Sequence, residues 1–367
     1  MKRCRTCLIP DTRPDTYFDE TGECSACRSY KGRPEINWNV RKQELINLLD
    51  RHNGRCIVPS SGGKDSTYQA LTLKALGAEV VCVTAETCQL TEIGRRNLNN
   101  LADQAKAIRV VPQRSVRATL NRLGLALVGD ISWSEHASIF GVPFRMSILL
   151  GIPLIFYGES PQNQYGGPPG TAEAKQMTRR WIAEFGGFLG LRAEDFIGME
   201  GLTERDMVSY QPPSENEIAK ASIEAHFLGQ YIPWDSDRNA EFSKAHGFEC
   251  QLPCQANWWP CENLDNAQTG IHDHAMFRKY GYGRAAAQLS VDIRKGKITR
   301  EAGMEILRER DGVFPEIYGG VHIDEICRHI GISRENLMTT LDKFTNWDLF
   351  EKEDNRLIPK DWCLQPA

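Results

Sequence analysis

The stretch RCIVPSSGGKDSTYQALTLKAL, residues 55–76, constrains the fold more than any other part of the chain. Residues 55–59 form an apolar run suited to a short buried strand, and residues 65–76 have helical spacing ended by Gly77. Between them lie Ser60, Ser61, Gly62, Gly63 and Lys64. Strand, glycine loop and helix start, in that order, present free backbone N–H groups to an anion, with the helix dipole behind them. Asp65, Ser66 or Thr67 is placed to cap the helix while the hydroxyls reach phosphate oxygens. A Walker A loop is excluded twice. Lys64 is followed by Asp65 instead of a Mg²⁺-binding hydroxyl, and Val58 stands where the first glycine belongs. The bland alternative is a glycine turn that merely joins strand to helix.

The pattern continues downstream. Residues 78–86 read as a second strand, a Leu-rich helix follows Gly94, and residues 107–113 read as a third strand. Helices are expected around 116–127 and 136–150, and another apolar strand at 152–158. Alternating strands and helices with continuously apolar strands imply a parallel sheet covered on both faces. Ligands in such sheets sit beyond the carboxyl ends of the strands. Residues 61–67, 84–88 and 158–170 are therefore expected around one crevice, with Thr84 as a further nucleotide contact. The loop GESPQNQYGGPPG, 158–170, is long, polar and glycine-rich, as functional loops often are. Glu159 is a candidate to bind Mg²⁺ or orient a nucleophile, or else a solvated loop residue. Asn163, Tyr165, Gly166 and Gly167 are candidate substrate contacts.

Cys4-x-x-Cys7 and Cys24-x-x-Cys27 are spaced as a four-thiolate Zn²⁺ site. The intervening segment is too polar to fold unaided, and a closed tetrahedral metal would supply that energy. Free thiols and an iron–sulfur cluster are the other readings. Twelve cysteines in a chain of 367 residues without an apolar leader point to metal ligation and buried thiols rather than disulfides, and to a cytoplasmic protein. The net charge of −4, with Lys and Arg dispersed among Asp and Glu, argues against nucleic acid as the main partner. The longest apolar run is too short to span a bilayer.

Residues 262–302 hold a second concentration of polar groups. His272, Asp273 and His274 are candidates for substrate binding, although the histidine spacing is not that of a helical zinc pair. The alternative is a helix start capped by Asp273, with both histidines in surface hydrogen bonds. Lys279, Arg284 and Arg294 could face a phosphorylated or acidic ligand, or solvent. Cys250, Cys254 and Cys261 are either a second metal site or inert buried thiols. Residues 322–344 could read as a helix-turn-helix, or as two short helices packed together.

The segment SGGKDST, 61–67, resembles the signature of the PP-loop ATP pyrophosphatases. That resemblance implies an adenine-nucleotide α/β fold, cleavage of ATP between its α- and β-phosphates, and Mg²⁺ held at Asp65. The cysteine pairs, SGGKDST, YGES…YGG, GQYIPWDS and GIHDH…KYGYGRA together resemble, over nearly the whole chain, the N-acetyl sugar amidotransferases of bacterial O-antigen and nonulosonic-acid pathways. By that resemblance, an acetamido group on a nucleotide-linked sugar is adenylated and then attacked by ammonia, with Lys64, Asp65 and Glu159 at the reaction centre. Lys2 excludes a glutaminase that uses an N-terminal cysteine at position 2. The resemblance implies that ammonia comes from a separate glutaminase with a barrel partner similar to the histidine-pathway cyclase. A PP-loop tRNA thiolase is the alternative. The expected organisation is a zinc-binding knuckle over 1–35, the PP-loop domain over 36–230, and a mainly helical substrate or partner region over 231–367.

Overall fold

The computed structural model describes residues 1–158, 174–252, 256–353 and 356–362. Two N-terminal helices, α1 (Ser25–Lys31) and α2 (Trp38–Arg51), precede an alternating α/β unit. This runs β1 (Arg55–Pro59), α3 (Lys64–Ala75), β2 (Glu79–Ala85), α4 (Glu92–Gln104), β3 (Lys106–Val110), α5 (Arg114–Val128), α6 (Trp133–Leu150) and β4 (Leu154–Tyr157). With β5 (Glu224–Phe227), the strands form one parallel sheet in the order β3-β2-β1-β4-β5.

The strands are apolar on consecutive residues because both faces are covered. Successive side chains point to opposite faces, so the two cores divide by parity. Cys56, Val58, Val80, Leu154 and Phe156 pack against Leu45, Leu49 and Leu73 of α2 and α3. Ile57, Val81, Val83, Ile155 and Tyr157 pack against Val142 and Phe144 of α6. The expected strands and helices are all present, with ends shifted by a few residues. The edge strand β5, sequence EAHF, was not expected, because its charged and imidazole groups break the apolar pattern.

The rest of the chain is mainly helical: α7 (Ser236–Ala245), α8 (Thr269–Tyr280), α9 (Arg284–Arg294), α10 (Arg300–Arg310), α11 (Ile323–Ile330) and α12 (Arg334–Lys343). It is packed onto the sheet unit. Ser243 of α7 donates to the Lys64 carbonyl at 2.7 Å, and Asn239 donates to Asp65 at 2.9 Å. Helices α11 and α12, the helix-turn-helix candidate, bury Ile326, Ile330, Leu337 and Leu341 against Leu125 of α5 and Ile271 of α8. That is the packing alternative. Among the described residues no helix is long and apolar enough to cross a membrane.

The N-terminal cysteines sit against this helical region. The Leu8 amide donates to Ser290 Oγ at 3.2 Å, and Arg300 donates to the Cys4 and Cys7 carbonyls at 3.1 Å. The third cysteine group departs from expectation. Cys250 and Cys261, with Cα atoms 4.7 Å apart, are joined in a disulfide, so they are neither free thiols nor a metal pair. Cys254 lies outside the described residues.

Candidate functional site

The first turn after β1 is built around Gly62, at φ +76°, where a Cβ would fall 2.9 Å from the backbone and side chain of Leu98. Only glycine makes that turn against α4. Gly63 is the N-cap of α3 and makes no side-chain cap bond. Asp65, Ser66 and Thr67 are therefore not the cap. The first amides of a twelve-residue helix are left without side-chain acceptors, facing the carboxyl edge of the sheet. Ser60 Oγ accepts from the Gly62 amide and bonds Ser66 Oγ, both at 3.0 Å, and so braces the loop.

This edge opens into a cavity of about 440 Å³. Ser60, Ser61, Gly62, Gly63, Lys64, Asp65 and Ser66 all line it. Thr67 and Thr84 do not; Thr84 has the opposite parity to Val83 and Ala85, which do. Thr67 is fully buried, and its hydroxyl has no hydrogen-bond partner.

Lys64 Nζ lies against Asp65 Oδ2 and 2.9 Å from Glu262 Oε1. Burial works against the ammonium, but the two carboxylates outweigh it and hold its pKa above the ordinary lysine value. Glu262 arrives from some 200 residues downstream, immediately after the disulfide cysteine Cys261, and no local pattern singled it out. Asp65 and Glu262 supply hard oxygen donors beside the anion-binding amides, which fits a Mg²⁺ ion accompanying phosphates.

The sequence also did not reveal Asp265 and Glu135, which line the same cavity. Glu135 is held by Arg117 at 3.1 Å and by Asn121 and Ser134 at 3.0 Å. Burial, with the nearby Glu135 charge, pushes the Asp265 carboxyl up to about 6. A readily protonated carboxyl thus stands beside a fixed carboxylate. Trp234 supplies an apolar wall near Gly158.

The 272–274 group is placed differently. None of His272, Asp273, His274, Lys279 and Arg284 lines this cavity. All but Arg284 lie within α8, so Asp273 is mid-helix and caps nothing. His272 Nδ1 lies 2.7 Å from Asp130, and Arg284 donates to Asp273 at 2.7 Å. Lys279 donates to the Val128 carbonyl at 2.6 Å. His274 sits edge-on to Phe314, and burial pushes its pKa down to about 3. Glu159, Asn163, Tyr165, Gly166 and Gly167 lie outside the described residues.

At the N-terminus, one sulfur from each of Cys4, Cys7, Cys24 and Cys27 lies within 4.8 Å of all the others, and all four residues are buried. The Cys7 and Cys24 amides point at Cys4 Sγ at 3.4 and 3.2 Å. Hydrogen bonds from Cys24 and Cys27 bring the Cys7 thiol down to about 7. A closed set of four soft donors, braced by backbone N–H groups, fits a structural metal ion with no open position.

The chain thus combines a parallel α/β sheet unit with a helical region, and the 262–265 segment between α7 and α8 contributes Glu262 and Asp265 to the same cavity. Residues 242–363 match the family model described as LPS biosynthesis protein WbpG-like, C-terminal domain. No curated protein matches the chain. Among solved structures, the NH3-dependent NAD synthetase from Campylobacter jejuni overlaps 59% of this chain and 100% of its own. The identity is 13% and the TM-score 0.30.

Proposed function

We propose that the chain is a cytoplasmic, ATP-dependent amidotransferase. It converts an acetamido group of a nucleotide-linked sugar to an acetamidino group during synthesis of a bacterial surface polysaccharide such as an O-antigen. One observation carries this reading: the 61–67 loop and Glu262, which lies in the part matched to the lipopolysaccharide family, meet on Lys64 in one cavity.

The amide oxygen of the acetamido group attacks the α-phosphorus of ATP, and the α–β bond breaks to release pyrophosphate. The O-adenylated imidate has lost the N–H proton and gained a good leaving group. Ammonia adds to the imidate carbon, the C–O bond to AMP breaks, and the amidine leaves protonated. The free amides at Gly63–Ser66 and the Lys64 ammonium hold the departing pyrophosphate, so that charge is stabilised where it develops. In this reading Asp265 takes the proton from the ammonia nitrogen once it has added to the imidate carbon and passes it to the imidate nitrogen, and Glu135, locked on Arg117, keeps that site negative. Mg²⁺, held through Asp65 and Glu262, would neutralise charge on the phosphates when bound. Zinc on Cys4, Cys7, Cys24 and Cys27 would hold the knuckle together. Ammonia is delivered by a separate glutaminase and its barrel partner. Substrate contacts remain proposed for the 159–167 loop.

The test supplies ammonium, Mg-ATP and a panel of nucleotide-linked di-N-acetyl sugars, and identifies both sets of products. AMP, pyrophosphate and a cationic sugar are expected; ADP and phosphate would overturn the loop chemistry. The tRNA thiolase reading keeps one point in its favour: Cys261, in a disulfide, lines the nucleotide cavity. AMP formation that requires tRNA, with tRNA retained on a filter at physiological salt, would establish it instead.

A further inference from the structure

A second cavity, of about 230 Å³, adjoins the nucleotide cavity, and Thr87 lines both. The Thr87 hydroxyl is buried and has no hydrogen-bond partner. The wall of this second cavity carries Arg95, Arg114, Arg117, Gln89 and His329, with Glu86 and Glu325. Most of its charges are already spoken for. Arg117 is paired with Glu135, Glu86 with Arg109, and Arg95 lies 3.3 Å from Glu92. His329 Nε2 contacts Cys88 Sγ at 3.0 Å. Arg114 is different: among the described residues it makes no ion pair or hydrogen bond, although it is the first residue of α5. The helix has no side-chain cap there, so its positive end adds to the same field.

We infer that this second cavity holds the diphosphate of the nucleotide carrier on the acceptor sugar, with Arg114 as its principal contact. The inference rests on the proposed amidotransfer. In that reaction the acetamido oxygen must reach the α-phosphorus of ATP, which occupies the first cavity. At about 440 Å³ that cavity lies within the range for a single small-molecule ligand and leaves little room for a second nucleotide. The remainder of the acceptor must extend to where the two cavities meet, at Thr87, whose unsatisfied hydroxyl can bond a sugar oxygen. Beyond Thr87 the unpaired guanidinium supplies the planar, charged donor set that suits a phosphate. Glu325 has no ion-pair partner among the described residues and opposes the anion. It therefore limits affinity for anions.

The experiment measures binding of UDP and GDP by calorimetry to the full chain, with the first cavity saturated by a non-hydrolysable ATP analogue. Arg114→Gln is expected to weaken the diphosphate that binds by about ten- to a hundredfold, the cost of one charged hydrogen-bonding contact. Glu325→Gln should tighten it several-fold, a gain that a folding defect does not imitate. ATP binding should be unchanged in both. If neither diphosphate binds the wild-type chain, or if both variants bind as the wild type does, the inference is overturned. The two readings fail separately. Amidation of a sugar with its KM unmoved by Arg114→Gln sinks this site alone. Arg114-dependent UDP or GDP binding without amidation leaves the site standing and removes the reaction.

Discussion

The loop at 61–67 and the helix turn at 272–274 are equally dense in groups that do chemistry, yet they meet opposite fates. At the loop, Gly62 turns the chain into a conformation that leaves helix amides free, and Lys64 is held by acids at the edge of a cavity. At the turn, each group faces a neighbour: His272 faces Asp130, Asp273 faces Arg284, and His274 is pressed among aromatic rings. The difference lies in the backbone. A loop at the carboxyl edge of a sheet cannot satisfy its own amides, whereas a helix in the middle of a packed layer satisfies the amides of its interior turns.

The largest expected break in this comparison is Lys64→Met. In the proposed reaction it removes a charge from the developing pyrophosphate and should lower kcat by about a thousandfold, as loss of one transition-state donor does. Turnover within tenfold of wild type would mean that the loop is not the reaction centre. Asp265→Asn comes next, with a loss of about a hundredfold. The wild-type rate, measured at constant free ammonia, should fall as pH drops through about 6, because Asp265 is active only when ionised. The residual rate of the variant should lack that limb. Glu262→Gln is gentler. Lys64 keeps Asp65 but loses its second carboxylate, and the proposed Mg²⁺ loses one charged ligand, so kcat/KM for ATP should fall roughly tenfold, with part of the loss recovered at raised Mg²⁺.

These residues also mark what was legible in the sequence. The β1–loop–α3 unit could be read because its signal is local: an apolar run, a glycine pair, then helical spacing. The parity of β2 was legible in principle, since Val83 and Ala85 share a face that Thr84 does not. Glu262, Asp265 and Glu135 carried no signal, because their importance comes from packing of α6 and the 261–268 segment across the edge of the sheet. Strand β5 was hidden for a related reason. An edge strand needs apolar residues on fewer positions, and His226 there is stabilised by Tyr231, 2.8 Å away.

The smallest effect is the one that tests the other half of the comparison. His272→Gln keeps a donor for Asp130 but removes the charge. Burial disfavours the His272 imidazolium, yet Asp130 outweighs it and raises the pKa; the same pair lowers that of Asp130. A raised histidine contributes its stability fully below its unfolded pKa of about 6.5 and loses it as pH rises through the folded value. A depressed aspartate contributes above its unfolded pKa of about 3.9 and loses it as pH falls through the folded value. The melting-temperature gap between wild type and variant should therefore be widest between about pH 4 and 6.5, and close toward alkaline pH. Its size there corresponds to ~1–3 kcal/mol, the range for one hydrogen bond to a charged group. Turnover at saturating substrates should stay within twofold, because His272 holds α8 against the α5–α6 turn and does not line the cavity around Lys64. A large fall in kcat with an unchanged melting curve would mean that the 272–274 turn acts on the substrate after all, and the contrast with the loop would collapse.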